Sequence, residues 1–250
     1  RQGEGIEIAN GFTFNGHHCS EFGIVMRSKN RQLLPEPNDS YVQVPGRQGS
    51  IHFPRELADR RIDLDCAVLE TSLPDLRAKA RDIAAWLHTT DRAELSFDDE
   101  PGRYYRGKLA LAVDFEHLAT MGQFSLAFVC EPLAYGEQVT ANFVSDSVTV
   151  ANAGTFPTPA IIEATFTGAA SEFKVTLGTK YVRVVHDFVL NDTLKIDTGT
   201  GAILLNGSRA MDKLDWQNSI FFELAVGNNT LSITPTGKCT ATIKHTPRWL

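Results

Sequence analysis

Cysteine is scarce and scattered: Cys19, Cys66, Cys130 and Cys239 are the four in 250 residues, and three of them sit inside apolar, strand-like runs. Such spacing offers no disulfide framework and fits buried thiols made in a reducing compartment. No window approaches the roughly 18 consecutive apolar residues of a membrane helix, and Arg1 to Asn10 lacks the apolar core of a signal peptide. Neither membrane insertion nor an export address is expected. Basic residues number 24 against 30 acidic ones, a net charge of -6, which argues against affinity for phosphate backbones and hence against direct nucleic-acid binding. With 42% hydrophobic and 22% charged residues the composition is that of an ordinary globular protein, so disordered, collagenous and low-complexity classes are excluded.

Catalytic signatures are equally missing. No G-x-S-x-G, H-E-x-x-H or kinase motif occurs. Gly102-Arg103-Tyr104-Tyr105-Arg106-Gly107-Lys108 has the outline of a phosphate-binding loop, but Leu109 follows where a magnesium-binding Ser or Thr is needed, and the stretch falls inside an expected hairpin. His17, His18 and Cys19 form the densest metal-capable group, yet no second pair stands at ligand spacing, and neighbours on a strand point to opposite faces. Asp98-Asp99-Glu100 precedes Pro101-Gly102 and reads as a solvated turn rather than a paired-carboxylate site. Catalytic, cofactor and metal residues are therefore all expected to be none.

What is present is β-structure with one principal helix. Ser72 can cap a helix in which Leu73, Leu76, Ala80, Ile83, Ala84 and Leu87 recur at three- and four-residue steps, with Trp86 beside that stripe. Ile62, Leu64, Cys66 and Val68 alternate with polar neighbours as a half-buried strand, Glu94 to Phe97 and Tyr104 to Phe115 read as a hairpin, and Gln123 to Val129 as a further strand. Beyond Pro132 only short Val, Ile, Thr and Phe runs remain, separated by turns such as Asn152-Ala153-Gly154, Gly199-Thr200-Gly201 and Asn206-Gly207, the pattern of a β-sandwich. We therefore expect a β-rich first domain over 1–138 and a sandwich over 139–239.

Arg27 to Ser50 fits neither half. Leu33, Leu34, Tyr41, Val42 and Val44 are apolar, but Pro35 and Pro37 between them cannot pair inside a central strand, so an edge or projecting hairpin that exposes apolar groups is expected. Those five residues, with Arg31 and Arg47 available to carboxylates at the rim, are the candidate oligomer interface. At the other end, Thr246-Pro247-Arg248-Trp249-Leu250 follows the last strand. A terminal Trp and Leu left in water would forgo on the order of a few kcal/mol of burial, so the segment is expected to dock.

Taken in order, several elements make the chain similar to one family. They are Gly11-Phe12-Thr13-Phe14-Asn15-Gly16 with Phe22-Gly23-Ile24, Val44-Pro45-Gly46-Arg47-Gln48-Gly49, and Leu95-Ser96-Phe97-Asp98-Asp99. Tyr104-Tyr105, Phe128-Val129-Cys130-Glu131-Pro132, Gly227-Asn228-Asn229-Thr230-Leu231-Ser232-Ile233 and Pro247-Arg248-Trp249 follow. The whole resembles the distal tail protein (Dit) family of long-tailed, siphovirus-type bacteriophages and prophages. The resemblance implies a structural hub of the tail tip or baseplate: a homohexameric ring made in the host bacterial cytoplasm. That ring joins the major tail or tube protein to the tail-associated lysin or fibre and to receptor-binding components. It implies a ring-forming first domain with a helix and protruding hairpin, a galectin-like second domain, and a return of segment 240–250, with Arg248 and Trp249, to the first domain. A carbohydrate-binding tail adhesin acting through the sandwich is the alternative. The sandwich, however, lacks the His-Asn-Pro-Arg and Trp-Gly-x-Glu elements of true galectins, its Trp216 being followed by Gln217-Asn218.

Overall fold

The computed structural model describes residues 11–53, 56–68, 73–110 and 123–250. The chain divides into two compact units, one running to Ala134 and including Leu250, the other spanning Tyr135–Trp249.

In the first unit the strands are β1 (Phe12–Phe14), β2 (His17–His18), β3 (Ile24–Arg31), β4 (Pro37–Asn38), β5 (Tyr41–Gln43), β6 (Ser50–His52), β7 (Glu56–Leu57) and β8 (Arg60–Val68). Helix α1 (Leu73–Leu87) follows, then β9 (Ala93–Phe97), β10 (Arg103–Leu109) and β11 (Gln123–Cys130). The main sheet runs in the order β2-β1-β9-β10-β11-β8-β3. Alternation sets its inner face: Ile62, Leu64, Cys66 and Val68 of β8 are buried, and Ile62, Leu64 and Cys66 lie opposite Phe128, Leu126 and Phe124 of β11. The expected Tyr104–Phe115 strand ends at Leu109 within the described residues, and the segment from residue 111 lies outside them, as does the capping Ser72.

Helix α1 corrects one detail of the sequence reading. Its buried stripe is Leu76, Ala80, Ile83, Trp86 and Leu87, whereas Ala84 is exposed. Trp86, three residues after Ile83, removes far more apolar area from water than an alanine, and its indole has specific partners. Nε1 donates to the Phe14 carbonyl at 2.8 Å, while the ring stacks on Phe22 at 4.4 Å and on Phe12 at 5.8 Å between centroids. Cys19, Cys66 and Cys130 are buried free thiols and Cys239 is partly buried. Burial pushes the Cys66 and Cys130 thiols up to about 12, which leaves them neutral packing groups at pH 7.

Strand β12 (Ala134–Gly136) spans the boundary, and the second unit continues with β13 (Val139–Asn142), β14 (Ser147–Asn152), β15 (Ala160–Phe166), β16 (Ala170–Leu177), β17 (Lys180–Phe188) and β18 (Thr193–Asp197). It closes with β19 (Ala202–Leu205), β20 (Ser208–Arg209), β21 (Gly227–Thr234), β22 (Cys239–His245) and β23 (Arg248–Trp249). One sheet has the order β13-β22-β15-β18-β19-β20 and the other β14-β21-β16-β17. Their inner faces enclose one apolar core, with Phe166 stacked on Phe188 at 3.9 Å and edge-on to Phe173 at 6.1 Å. Asn206 and Gly207, at φ 49° and 79°, make the tight β19–β20 turn that an Asn-Gly pair favours.

One boundary moves. The sequence reading ends the sandwich at residue 239, but β22 lies between β13 and β15 and buries Ala241, Ile243 and His245. The alternation of Cys239–His245 continues the sandwich pattern without a break, so the sheet carries on to His245. The tail after it is held closely: the Arg248 carbonyl accepts from the backbone N–H groups of Thr155 at 2.9 Å and Phe156 at 3.1 Å. Gly154 is required there, because a Cβ on it would stand 2.1 Å from the Arg248 carbonyl oxygen. Gly154→Ala is therefore expected to destabilise the second unit by about 1–3 kcal/mol. Thermal unfolding checks this, together with faster amide exchange at Thr155 and Phe156.

Candidate assembly interface

The segment expected to project is a nested hairpin arm, longer than the sequence reading gave. Pairing between β3 and β8 runs out to Arg31 opposite Ile62. It resumes in β4–β7, with Pro37 opposite Leu57 and Asn38 opposite Glu56, and again in β5–β6, with Tyr41 opposite His52 and Val42 opposite Ile51. Val44 to Gly49 closes the arm, with Gly46 and Gly49 both at φ 83°, a region that costs glycine little. A free two-stranded ribbon is marginal in water, and this one exposes its apolar side chains. Leu33 is 87% exposed and Leu34 61%, and Tyr41, Val42 and Val44 are exposed with them. Phe53 joins them; it lies past the Ser50 limit of the sequence reading, and its alternation with Ile51 is the signal that would have found it. Strand alternation sorts the arm into two faces: Tyr41 packs on His52 at 4.9 Å on one, and Val42, Val44, Ile51 and Phe53 line the other.

The arm's root is electrostatic, and it corrects one assignment. Arg31 is not a free rim cation: its Nη1 donates to Glu100 Oε2 at 2.6 Å and its Nη2 to Asp99 Oδ2 at 3.3 Å, and its guanidinium lies 4.9 Å from the Phe97 ring centre. Lys29 pairs with the same Asp99 carboxylate, and Arg103 Nη1 reaches Glu100 Oε1 at 2.7 Å. The acidic turn, read from sequence as merely solvated, is thus the clasp for β3 where the arm begins. On the returning strand, buried Arg60 donates to the Gln32 carbonyl at 3.1 Å and the Pro132 carbonyl at 3.2 Å, and Arg92 holds Asp59 at 2.7 Å. Arg47, at the tip, is exposed and makes no ion pair among the described residues.

The clasp has a pH consequence. Burial alone would raise the Asp99 carboxyl, but the Lys29 hydrogen bond and the Arg31 and Lys29 charges outweigh it and hold Asp99 below the usual carboxylate range. A depressed acid stabilises the fold above its unfolded value and loses that contribution as pH falls through the folded one. Amide protection at Lys29 to Arg31 is therefore expected to fall as pH drops below about 4. In Asp99→Asn it should already be low at pH 7 and change little; equal acid sensitivity in both proteins would refute the clasp.

The other sequence candidates separate. Gly102–Lys108 enters strand β10, so the stretch is extended backbone in a sheet rather than a loop wrapped around a phosphate. His17 Nδ1 bonds Glu21 Oε2 at 2.9 Å, His18 sits between Ser20 Oγ at 2.6 Å and Asp98 Oδ2 at 3.2 Å, and Cys19 is buried beneath the Phe12 N–H. No metal-ligand cluster occurs among the described residues. Arg248 lies 5.9 Å from the Tyr135 ring centre and 3.9 Å from Glu223, and Trp249 is partly buried. Trp216 is 66% exposed on the 215–219 turn, which the Asp215 carbonyl closes by accepting from Ser219 N at 2.9 Å.

Known proteins share both units. Residues 17–130 match the phage tail protein RIFT-related domain, and residues 153–249 match the siphovirus-type tail component, C-terminal domain. The distal tail protein of Bacillus phage SPP1 is 29% identical over 214 residues, covering 81% of this chain and 84% of that protein. The crystal structure of SPP1 Dit, described as a paradigm of the hub adsorption apparatus in phages infecting Gram-positive hosts, superposes with a TM-score of 0.79. It is 21% identical and covers 96% of this chain and 99% of that one. A chain of the phage p2 baseplate in its activated conformation with Sr has a TM-score of 0.51 at 10% identity, covering 94% and 97%, which is a likeness of fold. Matches to the two tail domains one after the other, with a distal tail protein aligned across both, make this chain similar along most of its length to the distal tail protein family of siphovirus-type phages.

Proposed function

We propose that this chain is the hub of a phage tail tip: a closed ring of six copies that joins the tube protein above to a tail-associated lysin or fibre and to receptor-binding components below. The observation that carries the reading is the arm, an ordered hairpin that exposes Leu33, Leu34, Tyr41, Val42, Val44 and Phe53 on a chain similar to this family. Apolar groups presented on a narrow two-stranded ribbon gain order from a partner, and a ring needs a surface offered by one copy and received by the next. The description of SPP1 Dit as a hub supports the same role. On this reading the chain works by association rather than catalysis and is placed in the virion at the tail tip after assembly in the host bacterial cytoplasm. Immunogold labelling of phage particles that carry this chain tests the placement: gold confined to the distal end of the tail is expected, and gold along the tube or on the head would refute it.

A further inference from the structure

We propose that the cavity between α1 and the 3-10 turn Cys19–Phe22 receives the arm tip of a neighbouring copy. This inference rests on the ring reading and names the receiving surface that it requires. The cavity is about 570 Å³, within the range of formed binding pockets. Its wall is the stacked pair Phe22 and Trp86, 4.4 Å apart and nearly parallel, so the apolar surface is rigid. Glu21 and Asp82 stand at its rim, and Ala85 leaves its α1 side open. Glu21 is fixed in place by His17 Nδ1 at 2.9 Å and by the His18 backbone N–H at 2.9 Å. Lys79, on the same wall, is already engaged.

The arm tip has the matching chemistry. Val44 is an exposed apolar group just past the end of β5, and Arg47 is an exposed cation three residues on, without a carboxylate partner among the described residues. An apolar contact on Phe22 and Trp86 with Arg47 between Glu21 and Asp82 joins a dry centre to a charged rim, the ordinary anatomy of an interface. The donor is another copy because of direction. Strand β3 starts at Ile24, just after the cavity's Phe22, and the arm leaves from its far end after Arg31, about 23 Å away at the usual rise per residue. Giving and receiving surfaces at opposite ends of one strand make a head-to-tail contact, the kind that closes into a ring.

Disulfide trapping in the full-length chain tests the match. Arg47→Cys together with Ala85→Cys should give a ladder of covalent multimers, each substitution alone none, and a mixture of the two single variants covalent dimers. Arg47→Glu should raise the concentration needed for assembly by about tenfold, and adding Asp82→Arg should restore it. An assembled double-cysteine variant that yields no covalent multimers, or an Arg47→Glu variant that assembles as the parent does, overturns the proposal and leaves the ring reading standing. A parent chain that stays a single copy overturns the ring reading itself.

Discussion

A chain in which residues 33–57 are replaced by a short Gly-Ser turn is expected to stay folded and to lose assembly completely. The replacement removes both strands of the arm and every exposed apolar group on it. It spares the pairing of Arg31 with Ile62, the Gln32 carbonyl that Arg60 binds, and the Asp99–Glu100 clasp. The sheet of the first unit therefore keeps most of its stabilising contacts, since Pro35 is the one buried residue among the described residues removed. Size-exclusion chromatography should show one copy per particle with an unchanged circular dichroism spectrum. A variant that assembles as the parent does would mean that another surface holds the copies together; a variant that unfolds would mean that the root, rather than the arm, had been damaged.

A second large effect is expected from where the second unit is cut. A fragment spanning residues 135–249 should unfold cooperatively on heating, whereas one ending at residue 238 should show no cooperative transition. The shorter fragment lacks β22, which joins β13 to β15 and supplies Ala241, Ile243 and His245 to the core. Losing one buried Ile costs about 2–5 kcal/mol, and here the strand's backbone hydrogen bonds go with it, which together approach the whole stability of a small domain. A cooperative transition in the shorter fragment would show that β22 is dispensable to the sandwich. Proton uptake at His245 should add an acid limb to the longer fragment's curve. Burial lowers this histidine, and its Nδ1 is buried without a hydrogen-bond partner, so its stabilising effect is present above the unfolded value and is lost as pH falls through the folded one.

The sequence made the periodic parts legible. Ile62 to Val68 alternates because one face of β8 is buried, and helix α1 and the change to a sandwich beyond Pro132 follow from the same signal. It underdetermined features that depend on contacts distant along the chain. Arg31 looked available because nothing local pairs with it; its partners Asp99 and Glu100 are 68 and 69 residues away. The acidic turn looked merely solvated for the same reason. Ala84 looked buried because a helical wheel gives position but not the stacking partners Phe12 and Phe22 that draw the Trp86 indole inward and turn Ala84 to solvent. The receiving cavity could not be read in advance, since it brings Glu21 and Phe22 of the 3-10 turn against α1 residues about sixty positions later. The arm was legible because Pro35 and Pro37 exclude a central strand while five apolar residues surround them, a local conflict that only a projecting element resolves.

Closure of six copies into a ring is open to a direct test by multi-angle light scattering on the purified 250-residue chain. One particle of six times the 27.5 kDa chain mass is expected, unchanged on dilution over a tenfold range because a closed ring leaves no free interface. A particle of 27.5 kDa at every concentration, or a mass that climbs without limit as an open filament would, contradicts it.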